Sequence, residues 1–368
     1  MLPVKKGIPF LIILIVIAFL VVVVIQKAKG KIGADFTRSL PALVEPTSKA
    51  GDVVPSSLMR KSIFVPYWTL AGNETVTLDQ FERVLYFGVA VDENGIDTKD
   101  PGYTTLPVFS EQVVSQESFL VVRMTDRQKA IAVLRDKDAQ EKIVRQSILL
   151  AEQYGFSGVV LDLEVTALPF ESLVQQITGF ALYFSDEVEK NGLQSGMTVY
   201  GDTFYRIRPF AISAIAKKMG TMYIMAYDFH KSGGNPGPNF PLSGKDRFGY
   251  DFKTMLSQFL ASVPPEKLSV IYGMYGYDWI VDDSGNVLGD GEAVSLLQIE
   301  STILKECEKL SCEKVRDTDA SEMRVAYIDN DGVRHVVWYE DDVSVAAKEK
   351  TARMMGIGSA SFWAYSYF

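Results

Sequence analysis

The sequence predicts an α/β protein: a (β/α)8 TIM barrel with a small α+β insertion after strand seven, preceded by one transmembrane helix. Three observations predict it. From Lys61 onward, eight apolar, β-rich runs alternate with helical patterns, the mark of a parallel sheet with crossover helices. Residues 280–337 interrupt that alternation. Residues 8–25 form an uncharged apolar run.

The elements follow in chain order. After a short tail, 1–7, the run IPFLIILIVIAFLVVVVI at 8–25 spans roughly 27 Å as a helix, close to the thickness of a bilayer core. It ends in Val and Ile before QKAKGK, without the small-x-small site of a cleaved signal, which favours a retained anchor. Lys5 and Lys6 on one side balance Lys27, Lys29 and Lys31 on the other, so charge alone does not orient it. Residues 26–59 carry Pro41, Pro46 and Pro55 with scattered Ser and Gly, and read as a tether. The barrel domain occupies 60–368. Strands are expected near 62–68, 84–91, 119–124, 158–164, 196–200, 222–227, 268–275 and 359–364. One long helix is expected over 127–154, and others near 170–191, 209–218, 252–262 and 343–355. Within 280–337 the pattern predicts a helix over 293–310, then a hairpin turning at Asn330-Asp331-Gly332. An insertion at the carboxyl end of a barrel strand forms one wall of a cleft.

Composition excludes several classes. The net charge of −9 leaves no basic stripe for nucleic acid. Two cysteines, Cys307 and Cys312, make neither a disulfide framework nor a zinc site, and a bridge between them requires the helix to end between them. With only His230 and His335, a metal site could be built only from carboxylates, and no EF-hand spacing is visible.

The chemistry concentrates at strand ends. The fourth strand closes on Asp162-Leu163-Glu164, and strand alternation turns both carboxylates to one face. Paired carboxylates in a partly desolvated site repel, which raises a pKa toward the range of a general acid. Met225-Ala226-Tyr227-Asp228 closes the sixth strand, Tyr275-Gly276-Tyr277-Asp278-Trp279 the seventh and Ser361-Phe362-Trp363 the eighth. Aromatic faces stack on sugar rings and carboxylates bind hydroxyls, so the set describes a carbohydrate cleft. Catalytic candidates are Glu164, Asp162 and Tyr227; substrate-binding candidates are Asp228, Trp363, Tyr67, Tyr277 and Trp279.

These residues resemble the family 18 glycoside hydrolases. Ser157 through Glu164 is similar to the signature D-G-x-D-x-D-x-E, and Met225–Asp228 to M-x-Y-D. Gly276–Trp279 with His335-Val-Val-Trp338-Tyr339-Glu340-Asp341 resembles the branch of spore-cortex and peptidoglycan hydrolases. Two signature acids are replaced, by Ser157 and Val160. The resemblance implies substrate-assisted retaining cleavage of an N-acetylated polysaccharide, peptidoglycan or chitin-like. It implies Glu164 as acid and base, Asp162 and Tyr227 on the acetamido group, Asp228 at the cleavage point and Trp363 as floor, with no need of a metal or organic cofactor. Such polymers place the barrel outside the cytoplasmic membrane, with the bilayer as the anchor's partner. The rival expectation is a non-catalytic carbohydrate-binding protein on the same fold; Ser157 and Val160 favour it and Glu164 opposes it.

Overall fold

The computed structural model describes residues 59–70, 78–113, 116–307 and 312–368. The candidate membrane span 8–25 and the tether up to residue 58 lie outside the described residues. Among the described residues no helix is long and apolar enough to cross a membrane. Met59, expected in the tether, is 6% exposed and joins the core.

In chain order the strands are β1 (Arg60–Pro66), β2 (Arg83–Asp92), β3 (Gly95–Ile96), β4 (Glu117–Met124), β5 (Gly158–Leu163), β6 (Gln194–Tyr200) and β7 (Thr221–Ala226). They continue with β8 (Leu268–Gly273), β9 (Tyr275–Val281), β10 (Glu292–Ser295), β11 (Glu313–Arg316), β12 (Met323–Ile328), β13 (Arg334–Tyr339) and β14 (Ser359–Trp363). Eight of them pair in parallel in the order β1-β14-β8-β7-β6-β5-β4-β2, and β1 pairing with β2 closes the barrel. All eight expected strands are present. β3 folds back on β2 in a short antiparallel pair.

Alternation sorts the side chains. In β5, Val159, Leu161 and Leu163 join the large core packed against the helices, while Val160 joins a separate cluster. That second cluster draws Phe64, Leu85, Phe119, Val121, Tyr223 and Ile271 from β1, β2, β4, β7 and β8, and so fills the barrel interior. Asp162 and Glu164 have the parity of Val160 and therefore face inward.

Three helical expectations are corrected. The helix over 127–154 is two helices, Arg127–Arg135 and Lys137–Tyr154. Asp136 adopts extended backbone between them and its carboxylate accepts the Asp138 and Ala139 N–H groups. A carboxylate that caps a new first turn is more stable there than in a helix interior. The helix over 209–218 shrinks to Ile212–Ile215. The helix over 293–310 starts instead as β10, whose Glu292–Ser295 pair with β9; Ser295 then caps a turn at Leu296–Gln298, followed by Ile299–Ile303 in π form and Leu304–Cys307. That last helix is described to Cys307, and a disulfide joins Cys307 to Cys312 at a Cα–Cα distance of 5.2 Å.

The insertion is also wider than 280–337. β9 to β13 form one antiparallel sheet in the order β10-β9-β13-β12-β11, so Tyr275–Val281 opens the inserted sheet rather than closing the seventh barrel strand. The β12–β13 hairpin turns at Asn330–Gly332, where Gly332 takes φ +81°.

Candidate active site

β5 delivers Asp162 at the inner wall and Glu164 just beyond the strand end; the neighbouring β6 delivers Thr198 and Tyr200 with the same inward parity. Asp162 is 2% exposed. One of its oxygens accepts the Thr198 hydroxyl, while Oδ2 is buried without a hydrogen-bond partner among the described residues. Burial, with the charge of Glu164 behind it, pushes the Asp162 carboxyl up to about 8, against the pull of Thr198 and the more distant Arg123. Glu164 is half-buried, and its Oε2 accepts the Tyr200 hydroxyl at 3.1 Å. Its pKa is raised as well, first by burial and then by the charge of Asp228; the Tyr200 hydrogen bond, Lys231 and Arg208 work the other way. Arg208 lies 3.8 Å over the Tyr200 ring and is itself fixed by paired hydrogen bonds to Asp202.

The sixth and eighth barrel strands supply the opposite wall. Tyr227 follows β7 and stacks beside Trp363, with ring centroids 6.4 Å apart and planes 29° apart. Burial and the carboxylates of Glu164, Asp162 and Asp228 raise the Tyr227 pKa well above its ordinary value, so its hydroxyl stays a donor. Asp228 sits at φ +58°, a left-handed conformation that costs energy for a residue with a side chain. Its N–H donates to Asn239 Oδ1 at 2.8 Å, and its Oδ1 accepts the hydroxyls of Tyr275 and Tyr277, the latter at 2.8 Å. Trp363 packs edge-to-face on Phe87, and a cis peptide joins it to Ala364.

Asp162, Glu164, Tyr227, Asp228 and Trp363 thus line one cavity at the carboxyl ends of the barrel strands. Three expected substrate contacts do not line it. Trp279 is fully buried in the inserted sheet, and its indole N–H donates to the Ser232 carbonyl at 3.2 Å; with no exposed face it holds a loop instead of a sugar, which corrects that expectation. Tyr277 is 8% exposed and spends its hydroxyl on Asp228. Tyr67 is half-buried outside the cavity wall, its ring 5.3 Å from the Arg123 guanidinium. Sequence reasoning missed Thr198, Tyr200, Arg208 and Lys231, which do line it. The Thr-Val-Tyr alternation of β6 was the available signal, because it places two hydroxyls beside a strand already known to carry the acids. Val160 takes part in the apolar barrel interior, so the support of Asp162 comes from Thr198 on the next strand.

The sequence profile described as "Glycosyl hydrolases family 18" matches residues 124–367, well over half of the chain. The cortical fragment-lytic enzyme of Bacillus anthracis is 24% identical over 240 residues, covering 63% of this chain and 51% of that protein. The chain spans about half the length of the first curated relatives it matches. Among solved structures, the Bacillus cereus spore cortex-lytic enzyme SleL superposes with a TM-score of 0.68 at 20% identity, over 85% of this chain and 72% of that one. The chitinase from Cycas revoluta in complex with (GlcNAc)3 gives 0.69 at 20% identity, over 83% and 95%.

Proposed function

From the premise that the chain belongs to the glycosyl hydrolases of family 18, we propose that it cleaves an N-acetylated polysaccharide, peptidoglycan or chitin-like, by substrate-assisted retaining catalysis. The observation that carries this reading is the pair Asp162 and Glu164, both with raised pKa values, facing Tyr227 across one cavity. Protonated Glu164 donates its proton to the glycosidic oxygen as the bond to the anomeric carbon breaks. The 2-acetamido oxygen of the same sugar attacks that carbon and forms an oxazolinium ring. Asp162 Oδ2, a buried acceptor without a partner among the described residues, suits the acetamido N–H and the positive charge that develops there. The Tyr227 hydroxyl donates to the acetamido oxygen. The Glu164 carboxylate then takes a proton from water, which opens the ring with net retention. Trp363 supplies the apolar floor, and Asp228 accepts a sugar hydroxyl.

The names of the relatives support the substrate class: one is a cortical fragment-lytic enzyme, and one solved neighbour holds (GlcNAc)3. The proposal includes anchoring through residues 8–25, with the barrel outside the cytoplasmic membrane. The Cys307–Cys312 disulfide supports that side, because such bonds persist in oxidising compartments.

The test is Glu164→Gln, assayed on N-acetylglucosamine oligosaccharides and purified cell wall. It keeps the size and much of the hydrogen bonding but removes the transferable proton. Turnover is expected to fall by a factor on the order of 10²–10⁴, while oligosaccharide binding survives. A wild-type protein that binds these glycans without cutting them replaces the hydrolase reading with the carbohydrate-binding one, which Val160 in place of a signature acid favours.

A further inference from the structure

Where the barrel meets the inserted sheet, three charges are completely enclosed. Lys348, on the helix Asp342–Met354, Glu322, just before β12, and Glu340, just after β13, are each 0% exposed. Lys348 Nζ donates to Glu322 Oε1 at 2.7 Å and to Glu340 Oε2 at 2.5 Å. Burying a lysine and two glutamates is expensive, and hydrophobic side chains would fill the same volume without that cost. The partners of Glu322 explain what the cluster does. Its Oε2 accepts the backbone N–H of Asn239 at 2.5 Å, and its Oε1 accepts that of Phe240 at 2.8 Å. Asn239 ends the loop that begins at Asp228. Its side-chain oxygen accepts the Asp228 N–H at 2.8 Å, and its backbone carbonyl accepts the Phe229 N–H at 2.8 Å. Its amide nitrogen donates to the carbonyls of Gly273 and Tyr275, which joins the loop to the start of β9, where Tyr275 and Tyr277 hold the Asp228 carboxylate.

We propose that Glu322, neutralised by Lys348, is a positioning residue for the active site: through Asn239 it holds Asp228 in its left-handed conformation, and so fixes the Asp228 carboxylate relative to Glu164 and Tyr227. A residue with φ +58° keeps that conformation only where its surroundings over-determine it. Here one side chain, Asn239, bonds the strained N–H directly and is itself clamped by a buried carboxylate. Glu340 belongs to the Trp338-Tyr339-Glu340-Asp341 stretch, for which the catalytic steps have no use. Its place in the cluster gives that stretch a role, which is to bring the second carboxylate to Lys348.

The inference rests on the proposed glycosidase reading, and its test separates the two. Glu322→Gln replaces one acceptor by an amide donor. Whichever way the amide turns, a donor then faces either the Asn239 N–H or the Phe240 N–H and the ammonium. Asn239→Ala cuts the relay without disturbing the buried charges, and serves if Glu322→Gln does not fold. Each is compared with Asp228→Asn singly and in combination, at a temperature where circular dichroism shows all variants folded. Turnover and the Kd for an N-acetylglucosamine oligosaccharide are both measured. Either relay variant is expected to lower kcat by a factor on the order of 10–10² with little change in KM, the size of effect that misplacement of a reacting group produces. In the Asp228→Asn background the same change is expected to cost less than about threefold, because residues acting as one unit lose non-additively. Losses that simply multiply with Asp228→Asn, or relay variants with wild-type kcat, overturn the proposal. If the wild type binds oligosaccharide without cleaving it, the glycosidase reading fails alone and the same cycle read in Kd decides. A wild type that neither binds nor cleaves overturns both.

Discussion

At the scale of single residues, the acid pair was legible because β5 is short, apolar and ends in D-x-E, so alternation alone put both carboxylates inside. What surrounds them was not legible, since Thr198, Tyr200 and Arg208 reach the pair from another strand and its loop, and no local pattern announces a cross-strand hydroxyl. Those neighbours set the pH behaviour. Asp162 and Glu164 titrate as a unit with two steps, and the form that holds one proton is the competent one. Below the lower step Asp162 is neutral and cannot stabilise the oxazolinium; above the upper step Glu164 has no proton to give. The profile of kcat/KM is therefore expected to be bell-shaped, with its alkaline limb above the ordinary carboxylate range, because burial raises both carboxyls. The Tyr200 hydrogen bond favours the Glu164 carboxylate, so Tyr200→Phe is expected to move that limb upward; a limb that stays or moves down contradicts the assignment. A second consequence concerns stability. The folded state binds the Asp162 proton more tightly than the unfolded chain does, so this group's contribution is fully present below the ordinary aspartate range near 4 and is lost as pH rises toward 8. Asp162→Asn keeps an oxygen for Thr198 and removes the charge. It is expected to stabilise the fold by about 1–2 kcal/mol near neutral pH, with the gain shrinking toward pH 4, while turnover falls. Denaturant melts at pH 4 and pH 8 check this, and an equal or lower midpoint at pH 8 would sink it.

Among elements, every barrel strand could be read because a β-rich run between helices carries its own periodicity. The failures were helices whose ends depend on a single side chain. Nothing in the apolar spacing of 127–154 distinguishes one helix from two, since both halves present the same stripe to the barrel. The decision is made by Asp136, whose carboxylate closes the first turn of Lys137–Tyr154. Asp136→Ala is accordingly expected to cost about 1 kcal/mol, the usual loss for an N-cap, with turnover unchanged because the break lies on the outer helical layer. A midpoint unchanged in thermal melts would mean that the cap contributes nothing. Similarly, 293–310 looked helical because its apolar spacing continues past Ser295, while pairing of β10 with β9 is a long-range contact with no local trace. Reading Tyr275–Trp279 as the close of the seventh barrel strand is what moved Tyr277 and Trp279 into the cleft: both belong to β9, and the inserted sheet uses them to hold Asp228 and the Ser232 loop.

For the whole molecule, the barrel was legible as an alternation of eight strands, and its closure is borne out where β1 and β14 meet across nearly the full length of the described chain. That closure sets where the chain can be cut. β1 pairs with β14 on one side and β2 on the other, and it contributes Ile63, Phe64 and Val65, all 1% exposed or less. Removal of residues 1–58 leaves Met59, β1 and everything after it. The remaining chain is expected to fold, stay in solution without detergent and turn over soluble oligosaccharides within about twofold of the full chain, since the cavity is lined only by later residues. Removal of residues 1–66 deletes β1. Three buried side chains at about 1.5–3 kcal/mol each approach the roughly 5–15 kcal/mol that holds a typical domain, and the cut also bares the edges of β2 and β14 to intermolecular pairing. That chain is expected to aggregate. The full chain, by contrast, is expected to sediment with membranes and to leave them only with detergent, because the eighteen apolar residues 8–25 match a bilayer core. High salt is expected to release none of it, which distinguishes an inserted helix from the adhesion of a charged surface. A full chain found in the supernatant, or a chain lacking 1–58 that still sediments with membranes, removes the anchor from the proposal and leaves the chemistry of the barrel untouched.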